Sequence, residues 1–332
     1  MIKKENITDK FNRKHDYLRI SLTERCNLRC FYCMPEEGIQ LRDKSHFMTS
    51  EEVIAIAKVF VEMGVKKIRL TGGEPLIKKD VANVIKQLGE LPVELSITTN
   101  AVLVDKFIDV FKQAGIKSIN VSLDSLDEKN FNQISRRNYF EKIKSNIDLL
   151  IQNDFIVKIN VVVIRNVNEH EIVDFIRWTK NENVHVRFIE FMPFDGNKWE
   201  WEKKISYKEI MEIAFQGFNK KEIIRIKDKP NDTSRNYKLI NGKGTFGVIS
   251  TITNPFCDTC NRIRLTADGK IKNCLFSQSE TDLLTAFRQN LSIESLIREA
   301  ILDKKKERGG VGLFNDNNVK ELKNRSMISI GG

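Results

Sequence analysis

The 332-residue sequence predicts an α/β protein built from parallel βαβ units. Six apolar, β-branched runs recur through its first half, amphipathic segments separate them, and polar motifs follow the ends of the runs. Six units are too few to close an eight-stranded barrel. We therefore expect either an open sheet or a partial, six-stranded barrel with right-handed crossovers.

The six runs are the predicted strands, because Val, Ile and Thr favour β structure. They cover residues 17–23, 66–71, 93–99, 117–123, 157–164 and 184–192. The rhythm ends in a loop of aromatic and charged residues at 192–204, and the rest of the chain has shorter predicted strands. We place a soft boundary near residue 195, which gives predicted domains 1–195 and 196–332.

Four of the segments between strands have helical patterns. In the first, Ser50 is the predicted N-cap and Gly64 ends the helix. The second, residues 105–115, also ends on a glycine. Residues 141–153 and 169–180 are the other two predicted helices.

Polar motifs cluster at one end of the predicted strands. A cysteine loop follows the first strand, TGGEPL the second, TTNA the third and SLDS the fourth, while Met192 closes the sixth. In parallel sheets and barrels the carboxyl ends of the strands form the active face. Agreement across five strands predicts the site more strongly than any single motif.

The net charge and the apolar content of the sequence limit the kinds of partner that it can have. The formal charge of +10 favours an anionic partner such as nucleic acid, a membrane surface or a phosphorylated small molecule, although lysine also serves simply to solvate a surface. We expect no membrane span and no secretion signal, because the apolar runs are short and residues 1–17 have no apolar core. The expected location is the cytoplasm, where clustered cysteines usually bind metal or do chemistry.

The first cysteine trio is Cys26, Cys30 and Cys33, with C-x3-C-x2-C spacing. Structural zinc sites and four-iron clusters normally have four protein ligands. Three thiolates would leave one iron of a cluster bare, and a catalytic metal site keeps such an open position for its substrate. The alternative is a zinc site with a distant fourth ligand.

The second trio is Cys257, Cys260 and Cys274, again without a fourth cysteine. Spacing alone does not separate an iron–sulfur cluster from zinc here. Arg262 and Arg264 follow at a spacing that places both on one face of a strand, where two guanidinium groups suit a ligand with phosphate. The alternative is a half-exposed strand with solvated arginines.

Three more basic residues lie in the predicted strands: Arg19, Arg69 and Lys158. Positive charge inside a barrel is costly unless an anion arrives. Any one of them could be a satisfied structural charge, but together they suggest a polyphosphate site.

The first trio, with Tyr32 before its last cysteine, resembles the motif of the radical S-adenosylmethionine enzymes. The resemblance implies that S-adenosylmethionine chelates the bare iron and that its cleavage gives a 5′-deoxyadenosyl radical, which takes a hydrogen atom from the substrate. The GGEP sequence matches the next motif, with Glu74 as acceptor for the methionine ammonium, although alone it would indicate a tight turn. The implied S-adenosylmethionine contacts are Tyr32, Gly73, Glu74, Ser122 and Met192.

The whole pattern resembles the family of molybdenum cofactor biosynthesis protein A, also called GTP 3′,8-cyclase, a radical lyase. The matching segments are HDYLRISLTERCNLRCFYCMP, IRLTGGEPL, INVSLD, RFIEFM, CDTCNRIRLTADGK and the terminal IGG. The resemblance implies an incomplete (βα)6 TIM-type barrel whose open side is closed by a C-terminal domain with an auxiliary iron–sulfur cluster. It also implies two [4Fe-4S] clusters, one on each trio, the second contacting the guanine of GTP.

The same resemblance implies roles for single residues. GTP contacts are expected at Arg19, Arg69, Thr98, Lys158, Arg262, Ile263 (through its backbone) and Arg264. The expected catalytic set is Cys26, Cys30, Cys33, Arg262, Arg264, Gly331 and Gly332, because the double-glycine tail of the family reaches into the active site.

The implied reaction is the first step of molybdenum cofactor biosynthesis. The radical abstracts hydrogen from ribose C3′ of GTP, the ribose carbon attacks C8 of guanine, and the product is 3′,8-cyclo-7,8-dihydro-GTP. The implied partners are an electron donor and the downstream cyclic pyranopterin monophosphate synthase. The family is often homodimeric, but the sequence offers no interface motif.

Two positions depart from the family pattern. Ala101 replaces the glycine of TTNG, which implies a small strain or a different turn if that glycine has a positive φ. Asn12 replaces the glycine of FGR, and asparagine tolerates a left-handed conformation.

Two other functions remain open from sequence. One is a peptide-modifying radical S-adenosylmethionine enzyme with an auxiliary cluster, although such enzymes generally carry more C-terminal cysteines. The other is a metal-stabilised nucleic-acid-binding protein, although no series of stacking aromatic residues accompanies the basic ones. We therefore expect no nucleic-acid partner.

Overall fold

The structure, a computed structural model, describes residues 6–34, 39, 42–312, 314 and 324–331. Its strands are β1 (Tyr17–Ser21), β2 (Lys67–Thr71), β3 (Glu94–Thr99), β4 (Ser118–Ser122), β5 (Ile156–Val163), β6 (Val184–Glu190), β7 (Ile223–Arg225), β8 (Arg235–Leu239), β9 (Thr245–Ile249), β10 (Arg262–Leu265), β11 (Lys270–Lys272) and β12 (Thr281–Asp282). They form one sheet in the order β12-β11-β10-β1-β2-β3-β4-β5-β6-β9-β8-β7.

Six parallel strands form the centre of the sheet. Strands β1 to β6 lie side by side in chain order, and all five pairings between them are parallel. Each coincides with one predicted run to within two residues at either end. The predicted α/β class with six parallel βα units is confirmed.

Of the helices in the described residues, seven lie between strands along the chain and three follow the last strand. They are α1 (Ser50–Glu62), α2 (Val81–Gly89), α3 (Ile108–Gln113), α4 (Glu128–Ser135), α5 (Phe140–Gln152), α6 (Ile172–Asn181), α7 (Tyr207–Gly217), α8 (Leu284–Arg288), α9 (Glu294–Leu302) and α10 (Met327–Ile330). Helices α2 and α4 were not among the four predicted from the sequence. The predicted helix at 105–115 is broken into a 3-10 turn at Val104–Lys106 and the short α3.

The N-cap of α1 is Thr49, so the prediction of Ser50 was wrong by one residue. Thr49 Oγ1 accepts a hydrogen bond from the Glu52 amide, and the Glu52 carboxylate accepts one from the Thr49 amide. This capping box needs Glu or Gln three residues after the cap. Glu52 stands in that position relative to Thr49 and therefore fixes the start of the helix.

The sheet has an apolar outer face and a polar inner face. In β1, Leu18 and Ile20 are fully buried in the large core between the strands and the helices, whereas Tyr17 and Arg19 line an inner cavity. Successive residues of a strand face opposite sides, so the same alternation repeats along the sheet. The barrel interior is consequently free to hold a polar ligand.

The C-terminal half extends both edges of the central strands. Strand β9 pairs in parallel with β6, and strand β10 pairs in parallel with β1. A second, small core forms around Ile252, Phe276 and Phe314. Segments after residue 229 line the same inner cavity as the central strands, which places them across the open side of the partial barrel. The boundary near residue 195 stays a prediction.

Both departures from the family pattern adopt left-handed backbone. Asn12 has φ 61° and Ala101 has φ 64°. The left-handed backbone is more costly at Ala101 than at Asn12, because it is about 1–2 kcal/mol less stable for alanine than the right-handed conformation. The Ala101 carbonyl accepts a hydrogen bond from Asn146 Nδ2 at 2.6 Å, which helps to hold the turn in place.

Candidate active site

A cavity of about 880 Å³ lies against the inner face of the sheet. This volume is within the range of small-molecule sites. All five basic residues singled out from the sequence line it, namely Arg19, Arg69, Lys158, Arg262 and Arg264. Cys257, Cys260, Cys274 and Met192 line it as well.

The strand register explains why the basic residues meet. Arg19 on β1 lies beside Arg69 on β2 and beside Arg264 on β10. Both Arg262 and Arg264 line the cavity, whereas Ile263 between them is fully buried on the other face. The structure thus places the side chain of Ile263 away from the cavity, and the expected contribution of its backbone stays a prediction.

The cavity also contains Arg187 on β6, which sequence reasoning missed. No described residue forms a hydrogen bond with its buried Nε and Nη2 atoms or with the buried Nε of Arg69. Burial first, and then the charge of Arg69, lower the pKa of Arg187 to about 9. The signal that could have found it is the strand alternation in VHVRFIE, which puts Arg187 on the inner face.

The electrostatics of the cavity favour an anion. Burial and Arg187 lower the pKa of Lys158 to about 8, and burial and Arg262 lower that of Arg264 to about 10. Buried cations that repel one another are costly until a negative ligand compensates them. The arrangement can therefore bind a multiply charged anion such as a polyphosphate.

The first cysteine trio lies on the loop after β1. A turn in which the Cys33 amide donates to the Cys30 carbonyl at 3.0 Å shapes the loop, and the Arg29 amide ties it to the Ser135 carbonyl at the end of α4. Burial and then the Cys26 thiol raise the pKa of Cys33 to about 12. Burial, Asp124 and the other two thiols raise the pKa of Cys30 as well.

Three thiols that perturb one another on one loop fit three corners of a four-iron cube. Among the residues that the structure describes, no three Cys, His, Asp or Glu side chains come together as ligands of a single ion. A cube spaces its thiolates more widely than one ion does, because each thiolate binds a different iron.

The two glycines of GGEP pack against the cysteine loop itself. The Gly73 amide donates to the Thr23 carbonyl at 2.6 Å, and the Glu74 amide donates to the Arg25 carbonyl at 2.8 Å. A Cβ on Gly73 would lie 2.2 Å from the Arg25 carbonyl oxygen. Glycine is thus required here by the approach of two backbones.

The Glu74 carboxylate is buried and already has three protein donors. Thr99 Oγ1 donates to it at 2.8 Å, the Asn100 amide at 2.7 Å and the Leu76 amide at 3.0 Å. Burial nevertheless raises its pKa to about 7. Its expected role as acceptor for the methionine ammonium stays a prediction.

Asp124 is a second residue that sequence reasoning missed, although it stands in the SLDS motif. Its carboxylate accepts hydrogen bonds from the Tyr32 hydroxyl at 2.6 Å and from the Val162 amide at 2.8 Å. Burial raises its pKa to about 6. Asp124 thus orients Tyr32, the residue before Cys33.

Three other predicted contact residues take no part in the hydrogen bonds described above for Glu74 and Asp124. Ser122 is half-buried at the end of β4. Met192 packs beside the small core of Ile252, Phe276 and Phe314. Thr98 does not line the cavity, and its Oγ1 accepts from Asn120 Nδ2 at 3.4 Å.

The second trio differs from the first by its cations. Arg262 Nη2 lies 3.3 Å from Cys260 Sγ, and Lys304 Nζ lies 3.4 Å from the same sulfur. Burial raises the pKa of Cys260, but these two cations outweigh it and bring the pKa to about 6. The charges favour the thiolate form, which is the form that binds a metal.

The C-terminal segment reaches the barrel. The Gly331 carbonyl accepts a hydrogen bond from Arg264 Nη1 at 2.7 Å. Gly331 has φ 85°, and a Cβ there would lie 2.6 Å from Thr71 Oγ1. Gly332 lies outside the described residues, so its predicted place has no counterpart here.

Sequence comparisons agree with this geometry. The family described as Radical SAM superfamily matches residues 20–179, and the one described as Molybdenum Cofactor Synthesis C matches residues 184–309.

No helix in the described ranges is both long and apolar enough to cross a membrane.

Named relatives extend the match over nearly the whole chain. Molybdenum cofactor biosynthesis protein 1 of Drosophila melanogaster is 46% identical over 91% of this chain and 53% of its own length. Mitochondrial GTP 3′,8-cyclase of Arabidopsis thaliana is 42% identical over 98% and 83%, and GTP 3′,8-cyclase of Listeria welshimeri is 39% identical over 98% and 99%. The chain spans about half the length of the animal relatives that it matches.

A solved structure shares the fold. Streptococcus suis SuiB bound to S-adenosylmethionine superposes with a TM-score of 0.66 at 15% identity, over 89% of this chain and 70% of that chain. Together with the two domain matches and the relatives, the family expected from the motifs is confirmed. The chain belongs to the GTP 3′,8-cyclase family of radical S-adenosylmethionine enzymes, the family of molybdenum cofactor biosynthesis.

Proposed function

We propose that this protein converts GTP to 3′,8-cyclo-7,8-dihydro-GTP, the first step of molybdenum cofactor biosynthesis. The observation that carries the proposal is the cavity in which a cation-flanked cysteine trio and several buried cations face one another. A guanine beside the cysteine trio and a triphosphate among the buried cations would together account for both parts of the cavity. The names of the relatives support the same reaction.

The cations would bind the triphosphate. Arg69 and Arg187 carry buried N–H groups that no described residue accepts, and Lys158 lies on the strand next to that of Arg187. Phosphate oxygens accept such N–H groups with charge-assisted geometry. We assign Arg19, Arg262 and Arg264 to the part of GTP nearer the second trio, and we keep Thr98 and the backbone of Ile263 as proposed contacts.

The first trio would hold a [4Fe-4S] cluster and the second trio another. When bound, the first cluster supplies the electron that cleaves S-adenosylmethionine, whose adenosyl fragment takes the C3′ hydrogen of GTP. The protein has to orient the methionine end and to exclude water. Tyr32, Gly73, Glu74, Ser122 and Met192 are the proposed contacts for this task.

The tail completes the proposed catalytic set. Gly331 occupies a hydrogen bond of Arg264, so its position decides which N–H groups of that arginine face the cavity. Gly332, outside the described residues, is proposed to lie beside it. An L-residue at 331 would need both a strained backbone and space that Thr71 fills.

The partners remain proposals of the same kind. A one-electron donor, a downstream cyclic pyranopterin monophosphate synthase and a homodimer follow from family membership. A cytoplasmic location was expected from the sequence, whereas one plant relative carries a mitochondrial name.

The test is an anaerobic assay with reconstituted protein, dithionite and S-adenosylmethionine. We expect about two four-iron clusters per chain and formation of 5′-deoxyadenosine that depends on GTP. Peptides and RNA serve as competing substrates or ligands. Stimulation by a peptide but not by GTP would favour a peptide-modifying enzyme, and zinc in both trios would reject a radical enzyme of either kind.

A further inference from the structure

The C-terminal segment is held by one buried carboxylate outside the cavity. Arg325 donates to Asp268 Oδ1 from Nη1 and to Asp268 Oδ2 from Nη2, both at 2.9 Å. Asp268 is only 5% exposed. A bidentate pair of this kind is stronger and more directional than a single contact between point charges.

Two further contacts fix the same segment. Arg325 Nη2 also donates to Glu280 Oε2 at 2.5 Å. Asn324 Nδ2 donates to the Leu275 carbonyl at 3.0 Å, next to Cys274. The described part of the tail therefore begins with a firm attachment to the segment around the last cysteine of the second trio.

The attachment has a consequence six residues later. Helix α10 starts two residues after Arg325 and leads directly to Gly331, whose carbonyl meets Arg264. The helix has only four residues and cannot be stable alone. Its buried side chains Ile328 and Ile330 pack it into the protein, and Arg325 supplies a charged anchor just before its N-terminal end.

We propose that Arg325 and Asp268 form a latch that docks the C-terminal segment, and that Arg325 acts through the tail as a positioning residue for Arg264. The docking stands on the contacts described above, whereas its effect on GTP rests on the proposed function. With the latch closed, one N–H of Arg264 is taken by Gly331 and the rest of the guanidinium faces the cavity.

The latch also reaches the first cysteine loop. Arg42 Nη1 donates to Asp268 Oδ2 at 3.1 Å, and its Nη2 donates to Glu24 Oε1 at 2.6 Å. Glu24 precedes Cys26 by two residues. Asp268 thus joins the tail to the segment that enters the first trio, while Thr266 Oγ1 donates to its Oδ1 at 2.6 Å and fixes the carboxylate.

The first experiment measures docking by amide hydrogen exchange across residues 326–331. We expect Arg325→Gln and Asp268→Asn to speed exchange at least tenfold, and Arg325→Lys to have an intermediate effect, because lysine keeps the charge but not the fork. Arg225→Gln is the matched control, since that arginine of β7 forks onto Asp228 at the opposite edge of the sheet from β10. Exchange in Arg325→Gln within twofold of the wild type overturns the latch.

The second experiment measures the dissociation constant for GTP without turnover in the full chain, with Arg325 intact and in the Arg325→Gln background. We expect Asp268→Asn to weaken GTP binding about fivefold when Arg325 is intact and hardly at all in the Arg325→Gln background, as for two residues that act through one contact. Equal weakening in both backgrounds overturns the positioning role. If Asp268→Asn does not fold, Arg325→Gln in the full chain decides, because Arg325 is 20% exposed and its loss leaves the core intact.

The two experiments separate the latch from the function. If the wild type does not bind GTP at all, the proposed function fails while the exchange measurement still decides the docking. If GTP binds and exchange is unchanged by Arg325→Gln, the function stands and the latch falls.

Discussion

Lys304 Nζ lies 3.4 Å from Cys260 Sγ and 2.9 Å from the Arg262 carbonyl oxygen, and the side chain is almost fully buried. Within the described part of the chain, no carboxylate forms an ion pair with this ammonium. A buried ammonium needs an anionic neighbour to stay charged. The thiolate of Cys260 meets that need, so Lys304 belongs to the second centre although it does not line the cavity.

Lys304→Met should make the second cluster harder to reduce. Hydrogen bonds and positive charge at the cluster sulfurs raise its potential, so their loss favours the oxidised state. We expect a change of roughly tenfold in the one-electron equilibrium, or about 59 mV. The measurement is a redox titration followed by electron paramagnetic resonance, in a background without the first trio. Lys305→Met, an exposed neighbour, is the control, and equal potentials in the two variants contradict the assignment.

Arg187→Met should weaken GTP binding and stabilise the empty protein at the same time. Removing charged hydrogen bonds costs about 1.5–3 kcal/mol in binding, or roughly 10- to 100-fold in Kd. Removing buried N–H groups without partners should raise the free energy of unfolding by about 1–3 kcal/mol. Calorimetric binding and urea unfolding check the two signs. Arg177→Met, on the exposed face of α6, should change neither, and lower stability with unchanged binding would mark Arg187 as structural.

Because of His15, the free energy of unfolding should fall as the pH is lowered from 7 to 5. Burial first, and then Lys304, lower the pKa of His15 from 6.5 to about 4, and no described residue accepts a hydrogen bond from its buried Nδ1. The unfolded chain therefore binds more protons between pH 6.5 and 4, so the free energy of unfolding drops by up to about 1.4 kcal/mol per pH unit. His15→Gln should flatten this slope in urea unfolding from pH 7 to 5. The exposed His170→Gln should leave it unchanged, and a slope retained by His15→Gln would refute the prediction.

Gly73→Ala should selectively empty the first trio. The added methyl group would have to displace the backbone of Arg25, next to Cys26. We expect iron content to fall by about one four-iron cluster per chain, with the second cluster as an internal control. Loss of both clusters would point to unfolding. Full iron content would show that the cysteine loop adjusts to the added methyl group and still binds its cluster, which contradicts the prediction.

The central strands were predictable because local preference and burial agree in them. Each of the six runs is both β-branched and buried, and no competing signal exists within them. The N-cap of α1 was misplaced because Thr49 and Ser50 both have capping side chains, and only the Glu52 contact distinguishes them. For Ala101 the sequence left two alternatives, a small strain or a different turn, and the structure shows the left-handed backbone that implies strain.

The residues of the site that belong to sequence motifs were predictable, whereas those brought together only by long-range contacts of the fold were not. The pairing of β10 with β1 joins residues about 245 positions apart, and no local pattern encodes it. Strand alternation puts Arg187 on the inner face of the sheet, but its enclosure in the cavity comes from the assembled sheet and the C-terminal segments. Asp124 gains its role only through Tyr32, a contact between two loops.

The most direct measurement follows the C3′ hydrogen of GTP. The protein, anaerobic and carrying both clusters, is given dithionite, S-adenosylmethionine and GTP deuterated at C3′, and the 5′-deoxyadenosine is analysed by mass spectrometry. The account predicts one deuterium in the 5′-deoxyadenosine and a cyclised nucleotide in equal amount. 5′-Deoxyadenosine without deuterium, formed at the same rate whether or not GTP is present, would contradict it.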